Sequence, residues 1–272
     1  MTDQEGADWI PPGADISRPS VARIYDYLLG GAHNLAADRA VAQKLEAIQP
    51  QVATVARRNR AFLRRVVRFM LEQGVRQFLD LGSGIPTVGN VHEVAQSVDP
   101  DAKVVYVDYE PVAVAHSLML LKDNPNAEAL EADATNTEAV LGSGPVEHLL
   151  DLGKPVGLLA ITLGHYLPDV RSVFGAYRDA LAPGSHLALT HLTNDFAVLR
   201  DPKIAETMRS TQDHIYPRSR DEVLALFDGF ELVEPGLTTS ANWRPDRLTP
   251  VVDPEEDGLY AGVGVKPQAS RG

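Results

Sequence analysis

Short apolar runs alternate with amphipathic stretches along the chain from residue 76 onward. The runs at 78–81, 104–107 and 156–163 have the length and composition of strands. The last is almost uninterrupted, as expected of a central strand that is buried on both faces. After Pro168, apolar side chains recur at positions 170, 173, 174, 177 and 181, which is the spacing of one buried helical stripe. This alternation predicts an α/β domain with a mostly parallel sheet and helices on both of its faces.

Seven strands are predicted in this part of the chain. Ser219 and Glu222 have the spacing of a capping box, so a helix is expected to begin there. Residues 240–258 show no periodicity and are rich in proline and aspartate, which indicates a surface loop. The predicted strands cover residues 78–81, 104–107, 127–133, 156–163, 185–192, 230–235 and 259–265.

The first 75 residues have a helical pattern instead. Helices are predicted at residues 20–29, from residue 36 onward and at 54–73, and Gly30 and Gly31 provide the turn after the first. A polar stretch with two prolines precedes them. These features divide the chain into a flexible N-terminal tail (1–17), a helical extension or lid (18–75) and an α/β domain (76–272).

A glycine-rich loop follows the first predicted strand. The strand contains Asp80, and the chain then turns through Gly82 and Gly84 before the next helix. Glycine has no Cβ, so the backbone can turn sharply and a ligand can approach it closely. The second strand ends in Asp108, and in such folds this carboxylate accepts hydrogen bonds from ribose hydroxyls. The chain is therefore predicted to hold an adenosine-containing cofactor.

The spacing of the glycines narrows the choice of cofactor. A dinucleotide fingerprint requires a third glycine at position 87, where this chain has Thr87. The pattern acid-x-Gly-x-Gly at residues 80–84 resembles the first motif of class I S-adenosylmethionine-dependent methyltransferases. Two other functions stay open: an NAD-dependent oxidoreductase, and a non-catalytic sensor or interaction protein that binds S-adenosylmethionine on the same fold.

A second resemblance covers nearly the whole chain. The string from Arg23 to Asp38, the segments 59–63 and 84–93, and Trp243-Arg-Pro245 resemble a bacterial S-adenosylmethionine-dependent methyltransferase family that was long catalogued as a domain of unknown function. The resemblance implies a Rossmann-like class I methyltransferase fold with a seven-stranded sheet. It also implies that the last strand inserts antiparallel between strands five and six. S-adenosylmethionine is the implied cofactor, and no acceptor substrate is implied.

Position in the fold and this resemblance together assign the cofactor-binding residues. Asp80 is expected to orient the loop or meet the amino group of the cofactor, and Asp108 to bind its ribose. Leu163 is expected to lie under the sulfonium. The remaining candidates are Gly82, Ser83 and Gly84 at the methionine half, Tyr109 beside the adenine, and Asp133 and Ala134 at the adenine edge.

Catalytic candidates follow the central strand, because ligands of open α/β sheets bind at the carboxyl edge. His165 is the first candidate for a general base, Tyr166 is expected to line the acceptor pocket, and Asp169 to orient the histidine. His191 is a second candidate base, whereas His92 is expected to be structural. His33 and Asn34 are expected to reach over the cofactor, and no histidine or carboxylate cluster has metal-ligand spacing.

Composition restricts the partners. The net charge of −12 disfavours a nucleic-acid substrate, since the surface repels phosphates. Six arginines on the third helix are expected to form a solvated face; they are Arg57, Arg58, Arg60, Arg64, Arg65 and Arg68. No apolar run has the length of a membrane span, there is no cysteine, and no signal peptide is evident, which indicates a cytoplasmic protein. The function predicted is methyl transfer to a small-molecule acceptor.

Overall fold

The computed structural model describes residues 10–11, 14–86, 89–196, 200–211, 213–246 and 251–268. Within them, one eight-stranded sheet organises the α/β domain. Most of the predicted tail, residues 1–9 and 12–13, lies outside the described residues. The strands are β1 (Gln77–Leu81), β2 (Lys103–Asp108), β3 (Ala127–Glu131), β4 (Gly157–Ile161), β5 (His186–Leu192), β6 (Glu231–Leu232), β7 (Thr238–Thr239) and β8 (Leu259–Val265).

The strand order confirms the predicted fold class. It is β3-β2-β1-β4-β5-β8-β6, and β1 to β5 are parallel to one another. β8 lies between β5 and β6 and runs antiparallel to both, as the resemblance implied. The prediction of seven strands misses β7, which pairs with β8 over two residues only, too short to produce an alternating pattern.

Helices cover the sheet and extend from it at the N-terminus. The predicted helix after the glycine loop begins at Val91, with Asn90 at its N-cap, and Thr87 and Val88 lie outside the described residues. A helix begins after Ser219 as predicted, and the Glu222 carboxylate accepts from both the N–H and the hydroxyl of Ser219. The helices are α1 (Val21–Leu28), α2 (Ala36–Ile48), α3 (Val52–Glu72), α4 (Val91–Gln96), α5 (Pro111–Leu121), α6 (Thr137–Leu141), α7 (Gly144–Leu149), α8 (Val170–Ala180), α9 (Pro202–Met208) and α10 (Arg220–Leu224).

Alternate residues of the strands build two apolar layers, one on each face of the sheet. Phe78 of β1 packs with Phe62 and Met70 of α3, whereas Leu79 faces the opposite layer with Phe174 of α8. This is the side-chain alternation of a buried strand. The helix α3 packs on the sheet. Residues of α1 and α3 also lie close to the carboxyl ends of β1, β2 and β4.

A buried ion-pair network joins those helices to the α/β domain. Arg23 of α1 donates from Nε to Asp38 Oδ2 at 2.8 Å and from Nη1 to Glu110 Oε1 at 2.6 Å. Asp38 also accepts from the backbone N–H groups of Ser20 and Leu35, and Glu110 caps α5. Only 1% of the Arg23 side chain is exposed, so the network holds α1 and α2 in a fixed position over the sheet edge.

Residues 240–258 are not simply a surface loop, which corrects the prediction. Trp243 is completely buried and meets the rings of Phe62 and Phe69 edge to face, each at 5.5 Å. Asp257 is buried and accepts from Ser240 Oγ at 3.0 Å. A loop without periodicity can still supply core side chains, because one aromatic anchor needs no repeat. Residues 247–250 of this segment lie outside the described residues.

Candidate active site

A cavity of about 400 Å³ lies at the carboxyl edge of β1, β2 and β4, in the size range of ligand pockets. α1 and α3 cover it from the N-terminal side. The structure brings every sequence-predicted cofactor residue to its wall: Asp80, Gly82, Ser83, Gly84, Asp108, Tyr109, Asp133, Ala134 and Leu163. We call this space the first cavity.

The glycine loop is held against β2. Gly82 and Ser83 donate their N–H groups to Val107 O at 2.8 and 3.1 Å, and Gly84 donates to Asp108 Oδ2 at 2.7 Å. Gly82 has φ +64°, and a Cβ there would lie 2.9 Å from Leu163 Cδ1. Glycine is therefore needed at position 82 both for its backbone conformation and for the close approach of Leu163.

The carboxylates at the strand ends keep acceptor capacity toward the first cavity. Asp108 accepts one backbone N–H on each oxygen, from Gly84 and from Glu110, and burial raises its pKa. Each oxygen retains a further lone pair. Asp133 uses Oδ1 for Thr135, while its Oδ2 accepts no hydrogen bond from the described residues.

Asp80 is a buried carboxyl to which the described residues donate no hydrogen bond. Burial raises its pKa to about 7, with Arg60 opposing the shift and Asp108 adding to it. Buried charges are normally paired. A cation bound in the first cavity beside Asp80 would therefore stabilise its ionised form.

Sequence reasoning missed several residues of this cavity. Asn59 lies on the apolar face of α3 and is 1% exposed; its Nδ2 donates to Tyr25 Oη at 2.9 Å, while its Oδ1 is buried without a partner among the described residues. A polar residue in an apolar stripe was the available signal. Arg60, predicted on a solvated face, lines the cavity and donates to Asn90 Oδ1 at 3.1 Å. Asp213 accepts from Tyr109 Oη at 2.6 Å at the rim.

The arginines of α3 are otherwise engaged in packing the protein, which corrects the prediction of a solvated face for part of the set. Arg65 donates to the backbone oxygens of Trp243 and Ser240 at 2.9 and 2.6 Å. Arg58 donates to Glu256 O at 2.9 Å. These side chains tie α3 to the segment before β8.

His165 does not line the first cavity. It lies beside a second cavity of about 110 Å³, whereas Tyr166 lines both. The backbone N–H of Leu192 donates to His165 Nδ1 at 3.4 Å, and burial, together with His191 and Arg218, holds the pKa of His165 well below its usual range. We assign the neutral tautomer with its proton on Nε2, so His165 is a hydrogen-bond donor there rather than the predicted general base.

The other catalytic candidates serve structural contacts. His191 donates from Nδ1 to Leu192 O at 2.7 Å and accepts from Arg218 on Nε2 at 2.9 Å, and burial lowers its pKa to about 4. Both nitrogens are occupied, so His191 is not an available base. Asp169 caps α8 through Ser172 and makes no hydrogen bond to His165.

His33, Asn34 and His92 of α4 also contact neighbouring side chains. Asn34 donates to Asp26 Oδ2 at 2.9 Å, and neither His33 nor Asn34 lines the first cavity, which corrects that prediction. His92 is buried against Tyr106, with Nδ1 and Oη 2.7 Å apart, as expected of a structural residue. Among the described residues, no group of three potential ligands has the geometry of a metal site. No helix in the described part of the chain is long and apolar enough to cross a membrane.

Comparison with known proteins identifies the family of this chain. A family model described as S-adenosyl methyltransferase matches residues 7–267. A Thermobifida fusca YX protein, assigned provisionally as a methyltransferase, has 44% identity and a TM-score of 0.89 over 96% of this chain and 100% of its own. A Streptomyces avermitilis MA-4680 protein of the family catalogued as domain of unknown function 574 has 35% identity and a TM-score of 0.87 over 93% and 99% of the two chains.

No match was found among curated proteins. The family match covers far more than half of the sequence, and it confirms the methyltransferase resemblance over the oxidoreductase alternative. The chain therefore belongs to the S-adenosyl methyltransferase family, is an S-adenosylmethionine-dependent methyltransferase and uses S-adenosylmethionine as its cofactor.

Proposed function

We propose that the first cavity holds S-adenosylmethionine and that the methyl group passes to a small-molecule acceptor in the cytoplasm. The observation that carries the proposal is the convergence of the glycine loop and three strand-end carboxylates on one cavity of about 400 Å³. When bound, S-adenosylmethionine supplies a methyl group on a sulfonium that is reactive toward nucleophiles.

The residues present fit this group. Asp80 is a buried carboxyl that accepts no hydrogen bond from the described residues and is suited to the amino group, and the remaining lone pairs of Asp108 suit the ribose hydroxyls. Asp133 Oδ2 is available to the adenine amino group, and Leu163 offers an apolar surface for the sulfonium end. The contribution of the protein is then orientation and exclusion of water.

The covered position of the cavity favours a small acceptor over a nucleic acid. α1 forms part of the cavity wall and is tied down by Arg23, so a duplex that displaced α1 would have to break a buried ion-pair network. The acidic surface opposes phosphate backbones, and Arg58, Arg60 and Arg65 of α3 donate to other parts of the protein.

Cofactor affinity is expected to depend on pH through Asp80. Below pH 7 the carboxyl is protonated, because its pKa is raised to about 7, and a cationic amino group must then displace the proton. The affinity for S-adenosylhomocysteine should therefore rise more than about tenfold between about pH 5 and pH 7, a range in which an α-amino group stays protonated. Calorimetric titration at a series of pH values measures this.

Asp80→Asn is the matched control for that profile. It keeps the size of the side chain and removes the titrating group, so its affinity should vary little over the same range. Burial also raises the pKa of Asp108 and of Glu110, and both remain in the variant. A wild-type profile that is flat, or one that the variant reproduces, would refute the assignment of Asp80 to the amino group.

A further inference from the structure

We propose that the second cavity is the acceptor subsite and that it takes an uncharged, branched or cyclic apolar group whose polar atom faces His165 and Tyr166. This rests on the proposed function of the first cavity. The second cavity lies among α1, α2, α3, α9 and the ends of β4, β5 and β8.

The wall of the second cavity selects for an apolar, uncharged group. Most of the side chains that line it are aliphatic, and no lysine, arginine, aspartate or glutamate is among the described lining residues. A charged group placed there would lose its hydration without gaining an ion pair. Representative lining residues are Ile24, Leu28, Leu45, Val55, Ile204 and Met208.

The two cavities meet at the methyl-donor end of the first. Tyr25, Thr162 and Tyr166 line both, and Thr162 immediately precedes Leu163, the residue assigned to the sulfonium. Asp133, assigned to the adenine, lines only the first. A molecule whose apolar part occupies the second cavity would thus project its other end toward the methyl group.

Two polar groups stand at this subsite without partners among the described residues. His165 is 1% exposed, its only side-chain hydrogen bond there is on Nδ1, and its Nε2–H is left to donate. The Tyr166 hydroxyl makes no hydrogen bond with the described residues, and burial raises the pKa of Tyr166 and keeps it neutral. Buried polar groups in proteins are normally paired. An oxygen atom of the acceptor would satisfy the donor on His165.

The backbone at the junction is strained. Thr162 has φ +58°, a conformation that a β-branched residue rarely adopts, and its N–H donates to Thr190 Oγ1 at 2.9 Å. Such strain persists where the surrounding structure imposes it, and it concentrates at ligand sites. The strained residue coincides with the point where the cavities meet.

The volume of the second cavity limits the size of the apolar group that it can hold. An apolar cavity of about 150 Å³ can hold benzene. A cavity of about 110 Å³ therefore admits a group of about four to five carbons. Cyclopentanol is a suitable probe because it combines a small ring with one hydroxyl, and protonated cyclopentylamine is its charged counterpart of the same shape.

Methionine methyl groups provide a local readout. Met208 lines the second cavity, Met70 is buried in the layer under α3, and Met119 is exposed on α5. We would label the methionine methyls with ¹³C, saturate the full chain with S-adenosylhomocysteine and titrate with cyclopentanol. The Met208 signal should shift saturably while those of Met70 and Met119 stay, and cyclopentylamine should produce no shift.

Two variants test the assignment. Ala56→Leu adds three carbons at the wall of the second cavity and should weaken cyclopentanol binding more than about tenfold, with unchanged affinity for S-adenosylhomocysteine. His165→Phe keeps a ring and removes the donor, so it should weaken binding by about three- to tenfold. If Ala56→Leu does not fold, His165→Phe and the charged probe still decide the question.

The outcomes separate this inference from the function on which it rests. A Met208 signal that does not move in protein saturated with S-adenosylhomocysteine, or equal binding of the two probes, overturns the acceptor subsite and leaves the cofactor site intact. Failure of S-adenosylhomocysteine itself to bind overturns the proposed function first.

Discussion

Replacing Arg23 by methionine should lower the free energy of unfolding by about 3–5 kcal/mol, because it leaves Asp38 and Glu110 buried without their cation. Arg23 donates to both carboxylates and, from Nη2, to Arg18 O at 2.8 Å. Methionine fills much of the same space, so the loss reflects the charge and the hydrogen bonds. Denaturant unfolding followed by tryptophan fluorescence measures it.

Arg171→Met is the matched control. Arg171 pairs with Asp228 at the surface, and its side chain is 68% exposed, so its loss should cost no more than about 1 kcal/mol. Equal effects of the two substitutions would show that the Arg23 network does not hold the N-terminal helices to the α/β domain.

Alanine at Gly82 should mainly reduce stability, whereas alanine at Gly84 should mainly reduce cofactor affinity. Both glycines have nearly the same φ, +64° and +66°, so the backbone penalty of about 1–2 kcal/mol is shared. The Cβ at Gly82 also meets Leu163 at 2.9 Å, which raises the expected loss of stability to about 2–5 kcal/mol. At Gly84 no heavy atom of the described residues beyond its chain neighbours lies within 4 Å of the Cβ, so its methyl would enter the space assigned to the cofactor.

The two variants are therefore compared by two measurements, thermal stability and affinity for S-adenosylhomocysteine. Gly82→Ala should be the less stable protein, whereas Gly84→Ala should lose only the shared backbone penalty in stability but at least about tenfold in affinity for S-adenosylhomocysteine. If Gly84→Ala bound S-adenosylhomocysteine as tightly as the wild type does, the cofactor would not contact the glycine loop, and the assignment of the cofactor to this position would be wrong.

Local patterns in the sequence were sufficient to predict the strand-end residues that line the first cavity. Strand ends are marked by an apolar run followed by a polar residue, and the parallel sheet brings those ends to one edge. Asp80, Asp108 and Asp133 were found in this way, and the structure places all three around the first cavity. Which atom of the cofactor each one meets stays a prediction.

The place of Arg60 in the first cavity was not predictable from periodicity. A helical wheel assigns Arg60 to a polar flank, but it does not show which element lies beside that flank. Arg60 reaches the cavity because α3 packs on the sheet with its flank toward β1. Trp243 was missed as a core residue for a similar reason, since a single anchor in an irregular segment has no period.

The assignment of His165 depended on geometry that a sequence does not contain. Its position after β4 is correct for an active-site residue, but the short 3-10 turn at Gly164–Tyr166 carries Tyr166 toward the first cavity and His165 away from it. The residues that line the second cavity are spread between positions 21 and 259, so no local sequence pattern predicts it.

Calorimetric titration of the protein with S-adenosylhomocysteine and with NAD, repeated for Asp108→Ala, tests the central claim most directly. Asp108 holds the glycine loop through Gly84 and is the residue that we assign to the ribose, so its loss should remove hydrogen bonds to a charged group worth about 1.5–3 kcal/mol each. We expect micromolar binding of S-adenosylhomocysteine, no binding of NAD, and a loss of at least about tenfold in the variant. Binding of NAD alone, or an Asp108→Ala protein with wild-type affinity, would contradict the account.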